Sequence, residues 1–121
     1  LSGWHALGQA VAAQRARELP PPRLLLDGQV PAGLLLYYAQ VPPGDYVLWG
    51  SDPEQPEGEA PRLRPGDEGP FLLVGTSEHD QKISPRFTGV HRLSSIIIPI
   101  FTGELRRFYL DELDGFKGYQ P

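Results

Sequence analysis

Three consecutive prolines, Pro20, Pro21 and Pro22, divide this chain of 121 residues into two regions of different periodicity. Each ring removes a backbone donor and turns the preceding residue away from the helical region, so no helix crosses the run. Before the break, Ser2 to Leu19 reads as a helix. Ser2 is placed to cap it, Trp4, Leu7, Val11 and Leu19 recur at helical spacing, and five alanines fill the positions between. Gly3 and Gly8 weaken its start. After the break, short runs of Leu, Val, Ile and Tyr alternate with Gly, Pro and Asp, which predicts strands over Arg23 to Asp27, Leu34 to Val41, Tyr46 to Trp49, Phe71 to Gly75, Ser95 to Phe101 and Leu105 to Leu110. Phe101-Thr102-Gly103-Glu104 reads as a hairpin turn.

Residues 1–121 are read as one domain, with a helix over 1–19, a β-rich body over 23–49 and 70–110, and a tail over 111–121. The stretch 50–69 lacks apolar periodicity and carries six acids against two arginines, so the whole net charge of −4 lies in it. It reads as a long acidic loop rich in Pro and Gly. The absence of cysteine excludes disulfides, thiolate metal sites and cysteine nucleophiles. An acidic balance argues against a nucleic-acid footprint. Asn, Cys and Met are all missing, and arginines outnumber lysines nine to two, which points to a heat-adapted bacterium with a GC-rich genome. No apolar run is long enough to span a bilayer, and a start at Leu1 leaves room for a membrane anchor or signal segment upstream.

Glu78, His79, Asp80 and His91 are the nearest approach to a metal or acid–base constellation. Their spacing matches no metal motif, and Glu-His-Asp-Gln-Lys has the composition of a solvated turn. A hydrolytic triad of Ser77, His79 and Asp80 lacks the elbow that would expose the serine. Lys82, Arg86, His91, Arg92, Arg106 and Arg107 form a basic cluster, read as arginines bordering a sheet and pairing with Glu104, Asp111 or Glu112. Tyr37 and Tyr38, taken as strand neighbours, must point to opposite faces, which sends one toward solvent or a partner. No catalytic, cofactor or metal residue is assigned. Trp4, Leu7, Val11, Tyr37, Tyr38, Arg106, Arg107, Phe116 and Tyr119 are the candidate interface residues.

Gln40-Val41-Pro42-Pro43-Gly44-Asp45-Tyr46-Val47-Leu48, within the run Leu36 to Leu48, resembles the strand–turn–strand of transthyretin-like β-sandwich modules. Across more of the chain, the helix ending in Ala13-Gln14-Arg15-Ala16-Arg17-Glu18, the break, and strands closing with Ile98-Pro99-Ile100-Phe101-Thr102-Gly103-Glu104-Leu105 resemble the globular part of minor type IV pilins and type II secretion pseudopilins. The expected fold is α+β, an N-terminal helix packed on an antiparallel sheet or small sandwich. The expected function is a non-enzymatic interaction or assembly module of the cell envelope, with protein partners or self-assembly and no cofactor. The alternatives are a sandwich binding module, a viral capsid decoration or tail subunit, and a metal-dependent enzyme using His79 and His91.

Overall fold

The computed structural model describes residues 2–28, 30–50, 61–101 and 103–121, the Ser2 side chain excepted. The Ser2 cap, the acidic residues of 51–60 and Thr102 of the hairpin turn therefore lie outside the described residues. The order of elements is α1 (Ser2–Arg15), β1 (Arg23–Leu26), α2 (Ala32–Ala39), β2 (Tyr46–Leu48), β3 (Phe71–Gly75), α3 (His79–Lys82), a 3-10 turn at Ser84–Arg86, β4 (Phe87–Pro99) and β5 (Leu105–Phe116). The fold is α+β, with the N-terminal helix packed on a single five-stranded sheet of order β2-β1-β3-β5-β4. That sheet is mixed. β1 runs parallel to β2 and β3, while β3, β5 and β4 alternate in direction.

Strand β3 is buried along its whole length. Leu72 and Val74 join Leu24, Leu26, Phe108 and Leu110 in a core beneath α1 and α2. Phe71 and Leu73 face the other way, into a second core with Leu25, Val47, Leu63, Ile83, Phe87 and Leu113. Burial on both faces is what an unbroken apolar run at the centre of a partly parallel sheet requires.

Two expectations from the sequence are corrected. Leu34 to Val41 is not a strand, since Ala32–Ala39 is helical, and the strand–turn–strand likeness over Leu36 to Leu48 goes with it. An apolar run of this length has no period that separates strand from helix. Topology decides: β1 and β2 are parallel, and a parallel pair needs a crossover, which α2 supplies while burying Leu35 and Ala39 one turn apart. Gln40 ends it in the left-handed region, donating its N–H to the Tyr37 carbonyl. The expected tail, 111–121, instead continues β5 as far as Phe116, with Asp111 and Leu113 buried. Beyond it, Tyr119 donates its hydroxyl to the Leu63 carbonyl at 2.5 Å, so this end of the chain is docked on the body.

Helix α1 also stops earlier than expected. Arg15 is buried, with Nε donating to the Pro22 carbonyl at 2.9 Å and Nη2 to Asp45 at 3.0 Å. A cation at the helix C-terminus thus ties the proline break to the turn before β2. The glycines that weaken α1 are close-approach points. A Cβ on Gly3 would meet the Pro99 carbonyl oxygen at 2.2 Å, and one on Gly8 would meet Tyr38 Cβ at 2.4 Å and backbone atoms of Tyr38 and Ala39.

Alanine favours a helix over glycine by about 1 kcal/mol, so two helical glycines should respond in opposite directions. Gly33→Ala in α2, where a Cβ meets nothing, will raise the urea midpoint. Gly8→Ala will lower it, with a net loss of unfolding free energy of roughly 1–2 kcal/mol, because rigid atoms must move.

Candidate functional site

The alternation of strands β1, β2, β3 and β5 places polar residues on one face, beside the second core. Leu25, Val47, Leu73 and Leu113 belong to that core. Their neighbours two residues along, on the same face, are Asp27, Trp49, Gly75 and Asp111. Over this end of the sheet sits α3, whose His79 is 1% exposed. Gly75 makes its seat: a Cβ there would meet His79 Nδ1 at 2.6 Å and Asp27 Oδ2 at 3.2 Å.

The sequence reading of Glu78-His79-Asp80 as a wholly solvated turn is therefore corrected. Four turn residues are exposed, and His79 is the one that points inward. No local pattern marks it, because its partner Asp111 lies 32 residues away on β5. His79 Nε2 is 2.7 Å from Asp111 Oδ2, and Arg92 brackets the same carboxylate through Nε and Nη2, both at 3.0 Å. Arg92 Nη2 also donates to Asp80 Oδ1 at 2.6 Å, and its guanidinium lies 3.9 Å from the centre of the Tyr109 ring. This bears out the expected pairing of a sheet-bordering arginine with Asp111; Arg106 and Glu104 approach to 3.9 Å.

Burial by itself would push the Asp111 carboxyl up, but the hydrogen bonds from His79 and Arg92 outweigh it and hold the group below the ordinary aspartate value. Asp111 is thus an ionised acceptor, and a carboxylate can only accept. An acceptor opposite Nε2 assigns a ring proton to that nitrogen, and the neutral tautomer with this proton keeps its lone pair on Nδ1. Nδ1 is buried and makes no hydrogen bond. On the Nε2 side, donor atoms of His79, Asp80 and Asp111 lie within 4.8 Å of one another, as metal ligands would. The Arg92 guanidinium already engages both carboxylates there, so it holds the position a cation would take.

The structure does not bring His79 and His91 together. Arg92 faces Asp111, so its neighbour His91 points to the opposite face, paired in register with Glu112. Glu112 is hydrogen-bonded to Glu18, and that bond, with burial and the Glu18 charge, raises its carboxyl above the usual range. Of the candidate interface residues, Trp4, Leu7 and Val11 are corrected: all three are buried in the chain's own core. Tyr37 and Tyr38 are helical neighbours in edge-on contact at 5.2 Å, with Tyr37 75% exposed, so strand alternation does not apply to them. Phe116 and Tyr119 pack edge-on against Trp49, within the chain. Arg106 and Arg107 are exposed on β5. Asp27, read from sequence only as the end of a strand, is the site residue that reasoning missed; a carboxylate directly after a buried apolar run was its signal.

Comparison with protein-family models, curated proteins and solved structures gives no match, so the meaning of the site rests on its geometry. Among the described residues no helix is long and apolar enough to cross a membrane.

Asp111→Ala will leave the buried His79 without its acceptor and lower unfolding stability by roughly 3 kcal/mol in chemical denaturation; a loss under about 1 kcal/mol would show that the network holds nothing. The Glu18–Glu112 pair has the opposite sign. A carboxyl whose folded-state pKa is raised contributes stability below its unfolded value that is lost as pH rises through the folded one. Glu18→Gln should therefore stabilise the protein at pH 7 by a few tenths of a kcal/mol, on the order of an exposed pair, and the gain should vanish below pH ~4.3.

Proposed function

We propose that the chain is a non-enzymatic protein-interaction module that binds an extended segment of a partner protein by strand addition to β4. The observation that carries this reading is the position of β4: thirteen residues long, it is the last strand of the sheet, and no described residue pairs with its outer edge. An unpaired edge presents a row of free N–H and C=O groups, the template for β-augmentation. The opposite edge is partly covered, since Arg62 forms a parallel bridge to Leu48 and Leu63 donates its N–H to the Leu48 carbonyl.

The half of β4 from Ser94 to Pro99 suits such a partner best. It holds three consecutive isoleucines, and its surroundings expose Ile97 at 49%, Phe101 at 69% and Leu105 at 72%. Arg106 and Arg107 stand beside it with Glu104 as the acid at hand. A segment with alternating apolar residues and acidic residues toward this end complements that surface in both hydrophobicity and charge. The setting we assign, a cell-envelope assembly of a heat-adapted bacterium, is supported by the resemblance to pilin-like domains and by α1 lying across the sheet.

Selection from a library of random twelve-residue peptides should enrich acidic, β-branched sequences. Binding should weaken at least about tenfold with Ile97→Lys or with Arg106→Glu and Arg107→Glu together, a loss of about 1.4 kcal/mol, and persist with Tyr37→Lys on α2. Peptides that bind equally well to the Ile97→Lys protein would overturn the edge, and a dimer in light scattering that Ile97→Lys dissolves would replace the partner by a second copy.

A further inference from the structure

The direction in which the chain leaves its strands singles out one place in the sheet. From β1 it crosses to β2 through α2, which packs on the first core. From β3 it leaves on the opposite face through α3, after which Ile83 is buried in the second core. β1 and β3 are parallel neighbours, so these two connections diverge at the carboxyl ends of β1 and β3. In sheets with parallel strands such a divergence opens a crevice, the usual position of a ligand site. Here a cavity of about 100 Å³ is lined by Asp27, Trp49, Glu78, His79, Lys82 and Ile83.

Several independent features of this crevice point to the same class of ligand. The His79 side chain is fully buried, and its Nδ1 makes no hydrogen bond. Asp111 accepts the hydrogen bond from Nε2–H, which fixes the ring and, in the neutral tautomer, leaves Nδ1 as a lone-pair donor. A carboxylate behind one ring nitrogen, with the other nitrogen presented to a cavity, is the arrangement that supports a metal-ligating histidine. A Cβ on Gly75 would meet His79 Nδ1 at 2.6 Å and Asp27 Oδ2 at 3.2 Å, so both atoms lie over that glycine, on the same side of the sheet. Glu78 adds a second carboxylate to the lining, alongside Lys82. Imidazole with carboxylates suits a borderline divalent ion of the zinc, cobalt and manganese group.

We propose that the crevice at the carboxyl ends of β1 and β3 binds a divalent transition-metal ion through His79 Nδ1 and the Asp27 carboxylate. The site is separate from the Nε2 side of the ring, where Arg92 stands. It is also independent of the β4 edge: metal binding and peptide binding can each fail without the other.

The test uses the whole chain, stripped with chelator and titrated with Co²⁺ and then Zn²⁺ by calorimetry, with tryptophan fluorescence in parallel because Trp49 lines the cavity. One ion per chain is expected, with Co²⁺ quenching that is lost in Trp49→Phe. His79→Gln and Asp27→Asn should each weaken binding by more than about 100-fold, and Asp111→Asn by roughly 10–100-fold through the ring it orients. His91→Ala, on the other face, should bind as the wild type does. Asp27→Asn preserves shape, so circular dichroism of that variant separates a lost ligand from a lost fold. Absence of binding, full affinity in Asp27→Asn, or loss caused by Asp80→Asn but not by Asp27→Asn would each overturn the proposal, the last by moving the ion to the Nε2 side.

Discussion

Burial of β3 on both faces is the constraint from which the remainder of the fold follows. Phe71 to Val74 offers no polar side to water, so two separate layers must cover it. The helices α1 and α2 form one. The other is made from short pieces: the segment around Leu63, α3 with Ile83, and the aromatic group of Trp49, Phe87, Phe116 and Tyr119. A layer built from short segments has gaps where a packed helix would have none, and one such gap lies at the carboxyl ends of β1 and β3. The crevice is therefore a product of how the second face is closed.

Asp111 is the exception within that layer. A carboxylate buried beside Leu73 and Leu113 is unfavourable unless its lone pairs are filled. Arg92 and His79 fill them from two other elements, so the requirement of one buried charge locates α3 against β5 and β4. Arg92 remains near water, its side chain 43% exposed, which lowers the desolvation it must bear. Asp111 lies in register between Leu73 and Arg92, so sheet pairing delivers the arginine without a search. Places where local preference conflicts with burial are where function is expected to reside.

The legible parts of this fold are those with a strong local signal. The helix before Pro20, the all-apolar β3, and the start of β5 follow from periodicity and from proline. What escaped depended on partners distant in sequence. Leu34 to Tyr38 is apolar enough for either regular structure, and a parallel pairing between residues 24–26 and 46–48 made it a helix. His79 is chemically at home in a solvated turn, and an aspartate 32 residues further on buried it. Asp111 itself interrupts a run of apolar and aromatic residues, so the strand read as ending where the half that carries the buried carboxylate begins.

The irregularity in β4 shows how small a shift of register can carry such a site. Ser94 pairs with Leu110 and Arg92 with Asp111, so Leu93 is an extra residue in the ladder. Were Leu93 paired in strict register instead, alternation from Ile98 through Ile96 and Ser94 would carry Arg92 onto the α1 face, opposite Glu112. Asp111 would then face Leu93, which offers its carboxylate no hydrogen bond. The bulge reverses the facing of everything before it, keeping isoleucines toward α1 while turning the guanidinium to the buried carboxylate. It also breaks the period-two pattern that would have revealed Phe87 to Arg92 as strand. The bulge thus hides half of β4 from sequence reading and, by the same shift of register, keeps together the pair that orients His79.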